Sequence, residues 1–199
     1  MLSTKIVAFG LAFLAACGAH AATLRVQVVD QAGAPLQDAI VYVSPASGKL
    51  PTTKPVGAVI DQIKRQFVPL VSVAQTGAAI AFPNKDNIEH DVYSFSPAKK
   101  FELNLYHGIP AAPVVFEKPG LVVMGCNIHD AMVAYLLLVD TPYFAKTDAS
   151  GNATIDNVPA DALKVTAWHY RMTTPDAQPT QKLVADAGVA KFALPLKPQ

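Results

Sequence analysis

Apolar positions in this chain either alternate with polar ones or run in short unbroken stretches, and helical spacing is weak throughout. Alternation marks LRVQVVDQAGAPLQDAIVYVSP (24–45), where two strands flank an Ala-Gly-Ala-Pro turn. LVVMG (121–125) and VAYLLLVD (133–140) are apolar at nearly every position, as buried strands are. FAKTDASGNATIDNVPADALKVTAWHY (144–170) reads as a Thr-Asp-x-x-Gly turn, a strand, a Val-Pro turn and a second, alternating strand. A late apolar run (189–196) predicts one more strand in a tail otherwise rich in Pro, Ala and Gln. The polar stretch 47–55, with two prolines, predicts a linker. With 16 prolines and 11 glycines punctuating valine-rich runs, the expected fold is all-β.

The first residues follow a different rule. Lys5 precedes the apolar run IVAFGLAFLAA (6–16), and Ala19-His20-Ala21 forms a small-x-small cleavage site. The run is too short to cross a bilayer as a helix. It predicts a signal peptide over 1–21 and a periplasmic product. Leu14-Ala15-Ala16-Cys17 also has the form of a lipobox, which predicts instead a lipoprotein anchored through Cys17; membrane association is expected only in that case. Of the two cysteines, Cys17 is thus either discarded or lipidated, leaving Cys126 as the sole thiol of the mature protein. A single thiol in an oxidising compartment is a liability unless buried or metal-bound.

A net charge of +1 with no basic run gives no support for a nucleic-acid partner. No acid–base pair or phosphate-cradling loop is present, and Cys126 with His129 lacks an orienting third group, so no enzyme activity is expected. The informative stretch is GCNIHDAM (125–132), which gathers a thiolate, an imidazole and a thioether within seven residues: Cys126, His129 and Met132. These ligand types suit copper, and a His2Cys site with a weak axial Met is the blue-copper arrangement. A second histidine is required, and His90, in FPNKDNIEHDVYSF (82–95), is the candidate. A thioether is a poor partner for zinc, and a structural zinc site would ask for more Cys or His. A strand, a tight loop and a returning strand place Cys126, His129 and Met132 around one point. His107 is expected in a turn, His169 as a satisfied structural histidine, and Met124, two residues from Cys126, in the core.

These residues resemble a known family. FVPLVSVAQTGAAIAFPNKDNIEHDVYSF (67–95) is similar to the F-x-P-x-x-x-x-V-x-x-G-x-x-I-x-F-x-N-x-D strand pair of cupredoxins, the superfamily of plastocyanin, pseudoazurin and amicyanin, and it ends on His90. FEKPGLVVMGCNIHDAM (116–132) resembles their Pro-Gly strand and ligand loop, with a short amicyanin-like gap between His129 and Met132. More narrowly, HDVYSFSPAKKFELNLY with GCNIHD resembles bacterial cupredoxin-domain proteins often labelled methylamine utilization proteins, a label that establishes no role in methylamine metabolism here. The resemblance implies a Greek-key β-sandwich, one mononuclear type 1 copper, a carbonyl contact from Glu89 and an N–H from Asp91 to the Cys126 sulfur. It also implies electron exit through His129, with Ala131, Pro110 and Pro113 forming an apolar patch. Two departures stand out: Ile128 replaces the usual proline before the loop histidine, and Asp91 and Asp130 place acids beside both histidines.

The flanks resemble a second family. V-x-D-x-x-G-x-P-L-x-D-A-x-V early in the chain and TD-x-x-G late are the marks of a carboxypeptidase regulatory-like, transthyretin-type β-sandwich. The expected organisation is therefore a signal peptide (1–21), a first sandwich part (22–55), a cupredoxin domain (56–140) inserted at a loop, and the second sandwich part with a tail (141–199). The expected function is one-electron transfer between redox partners such as a c-type cytochrome or a dehydrogenase. Its rivals are an envelope copper-carrier module and a purely structural sandwich.

Overall fold

The computed structural model describes residues 21–159, 162–184 and 188–198, and all its regular elements are strands. The chain opens with β1 (Ala21–Asp30) and β2 (Ile40–Pro45). The middle holds β3 (Ala58–Val59), β4 (Asp61–Gln62), β5 (Phe67–Val68), β6 (Val71–Gln75), β7 (Ala79–Ala81), β8 (His90–Ser96), β9 (Lys99–Tyr106), β10 (Val114–Val115), β11 (Gly120–Gly125) and β12 (Val133–Val139). Then come β13 (Phe144–Lys146), β14 (Asn152–Pro159), β15 (Ala162–Trp168), β16 (Thr180–Val184) and β17 (Val189–Leu194). The all-β reading holds. The apolar run 6–16 and Cys17 lie outside the described residues.

The middle strands form a five-stranded sheet in the order β6-β12-β11-β8-β9, a three-stranded sheet β10-β7-β3 and a β4-β5 ribbon. One apolar core joins them: Ile60, Phe67, Ile80, Phe82 and Phe116 pack with Val92, Val122, Met124, Leu136 and Leu138 of the large sheet. Cys126 and Met132 belong to this core, so two of the metal-ligand candidates are packed into it.

The flanking strands form two further sheets, β14-β1-β17 and β13-β2-β15-β16. In each, a strand from before the middle segment lies between strands from after it. Neither sheet can be completed by one flank alone. Their strands show the two-residue period of half-buried β-structure, as in the alternating burial of β17. The second core gathers Leu24, Val26, Val28, Val41, Val43, Ile155, Val165, Trp168 and Phe192.

Two sequence readings change. Val158 and Pro159 end β14, paired with Ala22 and Ala21, and do not make a turn. Pro159 is tolerated because it stands at the strand's end in an edge strand. β16 was not foreseen, because TQKLV opens with three polar residues and shows no apolar alternation.

Candidate metal centre

β11 ends at Gly125 and β12 begins at Val133, and the two strands are neighbours in antiparallel register with Gly125 opposite Val133. The seven residues between them must reverse direction. The amide of Met132 donates to the carbonyl of His129 at 2.8 Å, tightening the turn. β8 is the other neighbour of β11, and Gly125 faces Tyr93 across it. His90, which begins β8, therefore arrives beside Cys126 from 36 residues away.

The result is a convergent cluster. Cys126 Sγ lies 4.0 Å from His90 Nδ1 and 4.0 Å from His129 Nδ1. The three ligand atoms are all within 4.8 Å of one another, and the imidazole rings meet edge to face with centroids 4.9 Å apart. Metal–nitrogen and metal–thiolate bonds of about 2.0 and 2.3 Å span this scale. Met132 is buried in the same core cluster as Cys126. Two imidazoles, a thiol and a buried thioether are the donor set of a type 1 copper site, and the group fits one.

Burial grades the cluster. His90 is fully buried and Cys126 nearly so, while His129 is half-exposed between exposed Ile128 and Asp130. Burial pushes the Cys126 thiol up from its ordinary pKa, and the neighbouring Asp91 carboxylate adds to this. The backbone amides of Asp91 and Ile128 act in the opposite sense, donating to the sulfur and favouring the thiolate. The Asp91 amide is thus where the resemblance placed it; the Ile128 amide is an addition.

Four acidic residues near the cluster behave differently. Asp91 spends both carboxylate oxygens on Asn127, taking its backbone N–H at 2.8 Å and its side-chain N–H at 2.6 Å, which ties β8 to the start of the ligand loop. Asp130 and Glu89 are exposed. Asp86, to which sequence reading gave no role, is the acid that meets a ligand candidate: its Oδ2 lies 2.9 Å from His90 Nε2. The available signal was the final Asp of F-x-N-x-D, four residues before His90.

That motif now has a physical content. Phe82 fills the core. Asn84 is buried, and its side-chain amide donates at 2.8 Å both to the Ile88 carbonyl and to the Tyr106 carbonyl, while its oxygen accepts the Asp86 N–H at 3.0 Å. The 84–88 loop is thereby pinned against β9, and Asp86 is aimed at His90. Beneath it the Tyr106 hydroxyl donates to the Phe82 carbonyl at 2.6 Å and accepts from Gln62. Burial raises the Tyr106 pKa to about 12, so the phenol stays protonated.

The tempting histidines stand apart. His107 is exposed just past β9. His169 is buried, its Nε2 donating to the Gln37 carbonyl at 3.2 Å and its Nδ1 accepting the Arg171 N–H at 3.2 Å. Met124 is fully buried. Lys85 is paired with Asp61 at 2.7 Å.

No family model matches this chain, and no curated protein matches it. Solved structures do. A purple cupredoxin from Nitrosopumilus maritimus is 19% identical, with 41% of this chain and 99% of that one aligned at a TM-score of 0.37. The M98A mutant of amicyanin in its Cu(I) form is 16% identical over 50% and 98% of the two chains, with a TM-score of 0.37. A copper-containing nitrite reductase from Thermus scotoductus SA-01 is 20% identical over 56% of this chain, which spans only 28% of that enzyme, with a TM-score of 0.40. At such scores none of these likenesses decides anything beyond what the strand order and the side-chain cluster already show.

Proposed function

We propose that this protein is an exported single-electron carrier in which His90, Cys126, His129 and Met132 hold one mononuclear type 1 copper. The observation that carries the reading is the convergence of one thiol and two imidazole nitrogens at 4.0 Å separations, at the end of a packed β-core. A bound copper would supply one-electron cycling between Cu(II) and Cu(I). The chain supplies rigidity: three hydrogen-bonded strands fix the donors, which keeps geometric change small when the charge changes. The amides of Asp91 and Ile128 favour the thiolate.

Burial of His90 and Cys126 keeps these two donors from solvent, which supports a carrier over an enzyme. His129 is the one donor of the cluster that is partly exposed, with the apolar Ile128, 50% exposed, and Ala131 at the surface beside it together with Asp130. A transient redox protein, such as a c-type cytochrome or a dehydrogenase, would exchange electrons there. Residues 56–140 would form the copper domain, inserted into a sandwich built from 22–55 and 141–199, and the product would be periplasmic.

Titration of the apo-protein with Cu(II), followed by visible absorption and EPR, tests the reading. An intense thiolate-to-copper band with narrow hyperfine splitting is expected, and Cys126→Ser should abolish it. Weak tetragonal binding without the band, or a blue Cys126→Ser protein, rejects the assignment.

A further inference from the structure

We propose that Asp86 is a positioning residue for the metal centre, presented to His90 by the left-handed turn at Lys64–Arg65; this rests on the copper reading above. His90 has no solvent contact, so its second nitrogen must be satisfied within the protein. Asp86 Oδ2 does this at 2.9 Å from Nε2. A carboxylate only accepts, so the proton sits on Nε2 and the Nδ1 lone pair points into the cluster, toward Cys126 Sγ at 4.0 Å. The other tautomer would turn an N–H on the cluster and a lone pair on the carboxylate.

Asp86 is itself gripped from a different part of the chain. The amide of Lys64 donates to its Oδ1 at 2.6 Å and that of Arg65 to its Oδ2 at 2.8 Å. These two residues are the tip of the β4-β5 hairpin, closed by reciprocal hydrogen bonds between Ile63 and Gln66 at 2.9 and 3.1 Å. Both have positive φ, 53° and 58°. Hairpin turns of this kind favour Asn-Gly, because most L-residues resist the left-handed region. Here Lys-Arg occupies it, and both amides converge on one carboxylate. The hairpin is also stitched to the 83–85 segment, by Gln62 N–H to the Pro83 carbonyl and Lys85 N–H to the Gln62 carbonyl, each at 2.9 Å, and by the Lys85–Asp61 ion pair. Asp86 is thus fixed on three sides before it meets His90.

The apo-protein gives a test that needs no metal. In 15N-histidine NMR at pH 8, wild-type His90 should show the Nε2–H tautomer, and Asp86→Leu should lose that preference. With copper, Asp86→Leu should bind Cu(II) about 10- to 100-fold more weakly. Asp86→Asn retains an oxygen for Nε2–H, so it should keep the tautomer and the blue band, while loss of the negative charge raises the reduction potential. An unchanged tautomer and Cu(II) affinity in Asp86→Leu would show that Asp86 serves only the hairpin turn. Should that variant fail to fold by circular dichroism, an unchanged potential in folded Asp86→Asn overturns the proposal equally. A wild-type protein that never turns blue rejects the copper reading, whereas the tautomer result stands or falls separately.

Discussion

The residue before the cysteine is glycine because a neighbouring ring occupies the space a side chain would need. A Cβ at Gly125 would lie 2.8 Å from both the ring-terminal carbon and the hydroxyl of Tyr93 and 3.0 Å from a further ring carbon. Tyr93 in turn leans on Phe95, with centroids 5.4 Å apart. Gly125→Ala must displace that ring or the start of the ligand loop, and should cost about 1–3 kcal/mol. Because the obstacle is one side chain, Tyr93→Ser should relieve most of the cost, which a urea-denaturation double-mutant cycle measures as a favourable coupling. His169 gives the residue scale a pH signature. Burial lowers its pKa below 6.5, with Arg171 acting in the same sense and the Gln37 carbonyl and Asp38 opposing. The unfolded chain therefore binds a proton that the folded one refuses. This part of the stability is complete above the unfolded value and declines as pH falls from about 6.5 through the lowered folded value. His169→Gln should flatten the fall in melting temperature between pH 7 and pH 5; an equal fall in both proteins would remove His169 as its source.

At the scale of elements, the turn before β14 shows how a short motif closes a sheet. Asp148 Oδ1 accepts the N–H of Ser150 at 2.8 Å and of Asn152 at 2.9 Å, and Thr147 bridges the Ala39 N–H and the Leu36 carbonyl. Gly151, at φ 73°, then passes so close to β1 that a Cβ would lie 2.4 Å from the Val28 carbonyl oxygen and 3.1 Å from the Leu36 nitrogen. Backbone cannot step aside as a tyrosine ring can, so Gly151→Ala should cost about 3 kcal/mol or more, read as a lowered urea midpoint. Such motifs made the flanks legible in the sequence. The long strands were legible for the same kind of reason: 121–125 and 133–140 were read as buried, and β11 and β12 are found there. Strands of two residues such as β3, β4 and β10 were not, since so short a run shows no period. At the site, the meeting of His90, Cys126 and His129 could be anticipated from donor chemistry. The Asp86 contact was marked only by the last residue of F-x-N-x-D, because the hairpin that holds this side chain has a Lys-Arg tip that carries no turn signal.

The whole molecule turns on β12. Its side chains alternate between two cores: Ala134, Leu136 and Leu138 face the one that carries the metal-ligand candidates, while Leu137 and Val139 join the flanking one, with Val71 of β6. This is why VAYLLLV has no polar alternation: it is covered on both sides. Tyr135 adds a ring contact to Tyr170 at 5.0 Å, and Lys146 reaches the Val71 carbonyl at 3.1 Å. If 56–140 is an inserted domain, it is therefore one that shares a wall with its host and does not hang from a linker. Two consequences can be measured. Leu137→Ala, although it faces away from the metal-ligand candidates, should cost about 2–5 kcal/mol and lower the urea midpoint in a single transition that copper absorption and far-UV circular dichroism report together. Residues 56–140 expressed alone would bare Val71, Leu137 and Val139 as a contiguous apolar face and should self-associate. Polar substitutions at those three positions should restore a monomer in light scattering. A fragment that is monomeric without them would mean that the wall is not needed, and that the two cores fold independently.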